Sequence, residues 1–213
     1  MPETNPRHPS FGQSFARMGP RMDARGAADH RRRLLEVAYG AVVEIGAGYG
    51  ATFPFYPSAV TGGLAREPVP TLRELALAAA ARAPVPVTVE DGVAESLPAA
   101  DASVDVVVSS LVLCSVADQS VALAEVVRVL RPGGLLLFYE HVRSANRMLG
   151  AAEDLVAPLW SRVAGGCHPN RDTAGSIASA GLTVQGLERF GFPALPGNPK
   201  LAHVLGVASK TEA

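Results

Sequence analysis

The run Ala41-Val42-Val43-Glu44-Ile45 leading into Gly46-Ala47-Gly48-Tyr49-Gly50 constrains this chain more than any other stretch. A short β-branched segment suits a buried parallel strand. Alternate glycines let such a strand turn sharply into the next element and let a ligand approach the backbone. Further along the chain the same rhythm continues. Strand-like runs at 63–66, 85–89, 104–109 and 135–139 alternate with helical stretches, the strongest at 71–82 and 118–131. Thr71 and Asp118 are natural N-caps, and Pro84, Pro86 and Pro132-Gly133-Gly134 are stop signals. Five strands alternating with helices imply an α/β domain with a mostly parallel sheet, and right-handed crossovers put helices on both faces. Two further strand-like runs, 182–190 and 201–208, are joined by a Pro/Gly-rich segment and predict an antiparallel pair at one edge, for seven strands in all.

Composition and charge set boundaries. With 213 residues, 48% hydrophobic and 18% charged, the chain has the material for one packed core, which excludes wholesale disorder. A formal net charge of -1 argues against nucleic-acid binding. No apolar run reaches the roughly eighteen residues of a spanning helix, and Met1–Ser10 lacks the apolar stretch of a secretory signal. Two cysteines, Cys114 and Cys167, fit a reducing, cytoplasmic setting. Phe11, Phe15, Met18 and Met22 form a helical stripe that Gly12, Gly19 and Pro20 are expected to break into short turns. Residues 24–39 read as a helix with Arg31–Arg33 on a solvated face. The expected organisation is an N-terminal lid over 1–39 and a ligand-binding domain over 40–213, with a cap inserted at about 143–170.

The glycine turn alone leaves three readings: a dinucleotide, S-adenosylmethionine, or a tight turn with no ligand. The dinucleotide fingerprint needs its third glycine one residue later than Gly50. Glu44 would also repel a pyrophosphate, whereas a carboxylate there can pair with the amino group of a zwitterionic methionine moiety. Glu67 ends the second strand, where a carboxylate can accept both ribose hydroxyls. The next strand ends near Glu90-Asp91-Gly92 and leads into Val93-Ala94-Glu95-Ser96-Leu97-Pro98. Ala94 is small enough to lie against an adenine ring. Glu95 reads either as a cap on polar atoms there or as a carboxylate at a helix start.

Together with Glu125–Gly134 (EVVRVLRPGG), these residues resemble the class I S-adenosylmethionine-dependent methyltransferases of the type 11 group, firmly over about 40–142. The resemblance implies a Rossmann-like sheet and S-adenosylmethionine as cofactor. Glu44, Gly46, Ala47, Gly48 and Gly50 would hold the methionine part, and Glu67 with Pro68 the ribose. Ala94 and Glu95 would flank the adenine, and Ser110 and Leu111 would lie beneath the cofactor. Val93 stands where many relatives carry Asp. A narrower likeness, through Phe55-Tyr56-Pro57, 103–108, 111–116, Glu140-His141-Val142 and Gly166-Cys167, is to the animal alkyl-thiol methyltransferases. It implies a small thiol as acceptor. No membrane-anchoring N-terminal helix like theirs is legible, so a soluble acceptor and no membrane partner are expected.

On the acceptor side His141 comes after strand five and is the candidate catalytic residue, as base or substrate ligand. Phe11, Phe15, Trp160, Cys167 and His168 are candidates for an acceptor pocket. Cys114 reads as core. His8, His30 and His203 are too scattered for a metal site, and no metal is expected. Two other functions stay open: O- or N-methylation of a natural-product intermediate, and a non-catalytic S-adenosylmethionine-binding module. A monomer and a homodimer are both compatible with the sequence.

Overall fold

The computed structural model describes residues 9–193, 197 and 200–212. Strands β1 (Gly40–Ile45), β2 (Val60–Arg66), β3 (Val87–Glu90), β4 (Val104–Ser110), β5 (Leu130–His141), β6 (Leu182–Phe192) and β7 (Leu201–Lys210) form one sheet in the order β3-β2-β1-β4-β5-β7-β6. The first five are parallel, and β7 runs antiparallel to both β5 and β6. The expected α/β architecture is the observed one. In register, Ile45 sits beside Arg66 and Ser109, so the C-terminal tips of β1, β2 and β4 open along one edge. In open parallel sheets this edge, at the reversal of strand order, is where ligands bind.

Strand β4 shows why the sheet is buried on both faces. Val106 and Val108 point into a core with Leu34, Leu35, Phe53 and Tyr56, while Val107 points into one with Leu113, Leu123, Leu136 and Phe138. The helices α3 (Pro70–Ala80), α4 (Gln119–Val129), α5 (Arg147–Val163) and α6 (Thr173–Ser179) come after β2, β4 and β5. Asp118 caps α4 by accepting from the Ser120 and Val121 N–H groups. Asn146 does the same for α5 through Met148 and Leu149. Among the described residues no helix is long and apolar enough to cross a membrane.

The N-terminal stripe is not broken. Helix α1 (Pro9–Met22) continues through Pro20 into a wider turn at Asp23–Ala27 and then α2 (Ala28–Leu35), with the bend at Gly26 (φ 121°). Gly12 and Gly19 mark close contacts instead of breaks. A Cβ at Gly19 would run into the Tyr49 ring, and one at Gly12 into Thr71 Oγ1. The basic run also divides. Arg32 and Arg33 are exposed, but Arg31 is buried, ion-paired to Asp23, and donates from Nε to Ser110 Oγ at 3.2 Å. The segment expected as a cap contains α5, whose Met148, Leu155, Leu159 and Val163 face outward.

Candidate functional site

A cavity of about 420 Å³ lies at the tips of β1, β2, β3 and β4, within the usual range for small-molecule sites. Of the residues singled out in the sequence, Phe11, Phe15, Gly46, Gly48, Glu67, Pro68, Ala94, Glu95, Ser110 and Leu111 line it. Val112, Ser115 and Val116, from the run 111–116, also line it, as do Val69, Leu72, Ala117, Val121 and Gly165, which no motif announced.

The floor is the glycine turn. Gly46 (φ 61°) takes a left-handed conformation, and a Cβ there would stand 2.5 Å from Val112 of the loop after β4. Glu67 is 4% exposed and bridges the turn to its own strand end, accepting from Gly48 N at 2.7 Å and Val69 N at 2.8 Å. Burial pushes its carboxyl up to about 7, against the pull of those two bonds and of Arg73. A carboxylate offers about four acceptor sites, so Glu67 keeps capacity for a pair of hydroxyls on the cavity side.

Glu44 differs from expectation. It does not line the cavity. Its two oxygens accept from Thr52 Oγ1 at 2.6 and 2.7 Å, and one accepts from Tyr56 Oη at 2.6 Å. Burial raises it to about 7 while the hydroxyls pull it down. It therefore braces the turn from beneath, and pairing with a methionine amino group finds no direct path. Ala47 and Gly50 also sit behind the surface, both buried, in the hydrogen-bonded turn Gly50 N to Ala47 O.

The loop that carries Ala94 is fixed from α4. Glu125 accepts from Leu97 N, and Arg128 donates to the Leu97 and Ala99 carbonyls and to Glu125 itself. The Arg128 guanidinium holds the Glu125 carboxyl down at about 2. The Glu125–Gly134 motif thus acts at second hand, by shaping the loop that carries Ala94. Glu95 accepts from Ala117 N (2.9 Å) and Asp118 N (3.3 Å), which places it as a carboxylate at a helix start, that of α4.

On the far side Leu111 adopts φ 62°, rare for a branched residue, and donates from its N–H to Tyr139 O at 2.6 Å. The device that imposes this loop is Glu140, for which the sequence predicts no role. Fully buried, it accepts from Ser109 Oγ (2.5 Å) and from the N–H groups of Val112 (3.1 Å), Leu113 (3.0 Å) and Cys114 (3.1 Å). Burial still leaves its carboxyl raised. In the sequence it shows as a carboxylate directly after the apolar and aromatic run 135–139, within the Glu140-His141-Val142 stretch quoted above.

The roof is helical. Phe11 and Phe15 stack at 5.5 Å, and Phe15 tilts onto Tyr49 at 5.8 Å. Gly165, past the end of α5, presses on Phe11 so closely that a Cβ would stand 2.5 Å from the ring.

His141, Trp160, Cys167 and His168 do not line the cavity. They gather behind its wall around Cys114, the cysteine expected in the core. His141 Nδ1 lies 3.3 Å from Cys167 Sγ and 3.9 Å from Cys114 Sγ. The Trp160 indole bonds Cys167, and His168 N donates to Cys114 O at 2.8 Å. The bond shared with Cys114, then the charge of His141, hold the Cys167 thiol well below its usual range, and the same shared bond with burial pushes Cys114 up. Burial pulls His141 down, but Cys167 outweighs it and leaves the imidazole raised. Arg171 closes the group, donating to the Leu113 and Val116 carbonyls at 2.7 and 2.9 Å. The three side chains of Cys114, His141 and Cys167 thus meet one layer behind the cavity.

Comparison with known proteins agrees with this geometry. Residues 43–138 match the family described as a methyltransferase domain. A thiol S-methyltransferase of Rattus norvegicus, TMT1B, is 40% identical over 112 residues, 52% of this chain and 46% of that protein. The human TMT1A, also a thiol S-methyltransferase, is 38% identical over the same shares. The chain spans about half the length of these curated relatives. The crystal structure of the YcgJ protein from Bacillus subtilis superposes with a TM-score of 0.71 over 89% of this chain and 100% of that one, at 19% identity, which bears on the fold. The glycine turn, the free acceptor capacity of Glu67 and the cavity above them fit a sulfonium nucleoside. Residues 43–138 therefore match a methyltransferase domain, and over about half of its length the chain is similar to thiol S-methyltransferases.

Proposed function

We propose that the chain methylates a small molecule, and that the acceptor atom is the sulfur of a thiol. The observation that carries the reading is Glu67, a buried carboxylate pinned across the glycine turn on the floor of an apolar cavity. When bound, the cofactor supplies a methyl group on an activated sulfonium centre. The residues do the rest. Glu67 receives the ribose hydroxyls, Gly46 and Gly48 leave room for the methionine chain, and Ala94 packs on the adenine. Phe11 and Phe15 close over the reacting groups and exclude water.

Residues 1–39 act in this reading as a lid, and the 143–170 segment as a cap that meets it at Gly165. Thiol acceptors are favoured by the half-chain likeness to thiol S-methyltransferases. They also need little base catalysis, since a thiol near pKa 8.5 is already partly ionised at neutral pH. That suits a cavity wall with no histidine among its described residues. His141 then acts from behind the wall, through sulfur, and not as a direct base. Two free thiols favour a reducing, cytoplasmic setting.

Labelled cofactor offered with a panel of small thiols, phenols and amines tests the reading. Transfer to thiols is expected. Transfer to phenols or amines alone would replace the acceptor. Calorimetric binding of S-adenosylhomocysteine with no transfer to any of them would leave a binding module.

A further inference from the structure

We propose that Cys114, His141 and Cys167 form a three-ligand zinc site with its fourth position on the cavity side. The inference deepens the thiol reading and, in its catalytic sense, rests on it. The three residues come from the loop after β4, the tip of β5 and the loop after α5, and their ligand atoms all lie within 4.8 Å of one another. Zinc binds thiolate sulfur at about 2.3 Å and imidazole nitrogen at about 2.0–2.1 Å, so neighbouring ligand atoms in a tetrahedral site stand about 3.6 Å apart. The observed 3.3 and 3.9 Å from Nδ1 to the two sulfurs straddle that edge.

The imidazole has no stronger partner than these sulfurs, because its Nε2 is buried and unpaired. A thiol is a weak donor and a weak acceptor, so hydrogen bonding alone gives little reason for the ring to be held there. Two thiolates and a neutral imidazole leave a zinc site with no net charge, which lowers the cost of burying it.

Three protein ligands with an open fourth position is the arrangement of zinc sites that do chemistry. Here Ser115 marks the side from which the fourth ligand comes. Its Oγ lies 3.5 Å from Cys114 Sγ, and the same residue lines the cavity. Binding the metal displaces one proton from each cysteine thiol to solvent. A thiol acceptor arriving from the cavity loses its own S–H proton to solvent and coordinates as a thiolate, keeping a lone pair to attack the methyl carbon. That bond forms as the cofactor's sulfonium–methyl bond breaks, releasing S-adenosylhomocysteine.

The full chain, produced in zinc-supplemented medium and freed of loose metal by gel filtration, is assayed by elemental analysis. About one zinc per chain is expected, with near-complete loss in Cys114→Ser, Cys167→Ser and the double variant. Cobalt added to metal-stripped protein should give thiolate-to-metal charge-transfer absorption, and a simple alkanethiol should shift it. S-adenosylhomocysteine binding, measured on the same samples, reports separately on folding and on the methyltransferase reading. Zinc-free wild type that still binds S-adenosylhomocysteine would overturn the site. So would zinc retained by the double variant, or a Cys114–Cys167 disulfide in place of metal. Loss of S-adenosylhomocysteine binding with zinc retained would sink the acceptor role but not the metal site.

Discussion

Glu44 and Glu67 are the same residue type, both buried and both raised to about 7, yet they do different work. Glu44 spends its oxygens on Thr52 and Tyr56, so it stiffens the floor. Glu67 spends one bond on each side of the turn and keeps the rest for a ligand. Glu67→Gln should weaken S-adenosylhomocysteine binding by about 1–3 kcal/mol, read by calorimetry. In the wild type that binding should tighten as pH rises from about 6 to 8, because hydroxyl donors favour the ionised carboxylate. Stability moves the other way. An unfolded Glu titrates near 4.5 and the folded Glu67 near 7, so between them the folded chain holds more protons and loses stability as pH rises. Glu67→Gln lacks this loss. Its stability relative to wild type should therefore improve by roughly 2–3 kcal/mol from pH 4.5 to 7, measured by urea unfolding. Glu67 is legible in the sequence because its distance from the glycine turn is set by one helix and one strand. The bracing role of Glu44 is not, since Thr52 and Tyr56 look like ordinary loop residues until the chain folds back over them.

At the scale of elements, the N-terminal helices are tied to the cavity edge of the sheet by one buried cation. Arg31 joins Asp23 near the end of α1 to Ser110 at the tip of β4, and Asp23 is also bonded by the Tyr49 hydroxyl of the glycine turn. Arg31→Met should cost about 3 kcal/mol, because it leaves a carboxylate half-buried without its counter-charge. The double variant with Asp23→Asn should cost less than the two singles together, as a double-mutant cycle in denaturant would show. The sequence displays the apolar stripe on α1 but not this anchor. Arg31 stands between alanine-rich turns and two exposed arginines, and periodicity cannot tell which member of a basic run faces inward. The glycines mislead for a related reason: in α1 they serve packing against Tyr49 and Thr71, where a breaker signal reads the same.

For the molecule as a whole, a ligand that binds only the folded state adds stability by mass action. S-adenosylhomocysteine at about a hundred times its dissociation constant should raise unfolding free energy by about 2.7 kcal/mol, visible as a rise in melting temperature. Leu155→Glu should change stability by no more than about 0.5 kcal/mol, since the side chain is 83% exposed on α5. Loss of more than that in chemical denaturation would mean the outer face of α5 is covered in solution. The parallel sheet and its antiparallel pair are readable because strand and helix periods alternate cleanly. The meeting of Cys114, His141 and Cys167 is not, because residues 26 and 27 positions apart converge only through the crossovers.

Strand β7 comes after β6 in the chain but lies between β5 and β6 in the sheet. A nascent polypeptide made as far as β6 can already pair β1 with β2 and β4 and shape the nucleoside floor. The outer flank of β5, with Tyr139, Glu140 and His141 facing Leu205, Val204 and His203, stays open until the last strand slots in. The cavity edge built on β1, β2 and β4 can therefore take shape before the outer flank of β5, with the sulfur and imidazole cluster beside it, is covered by β7.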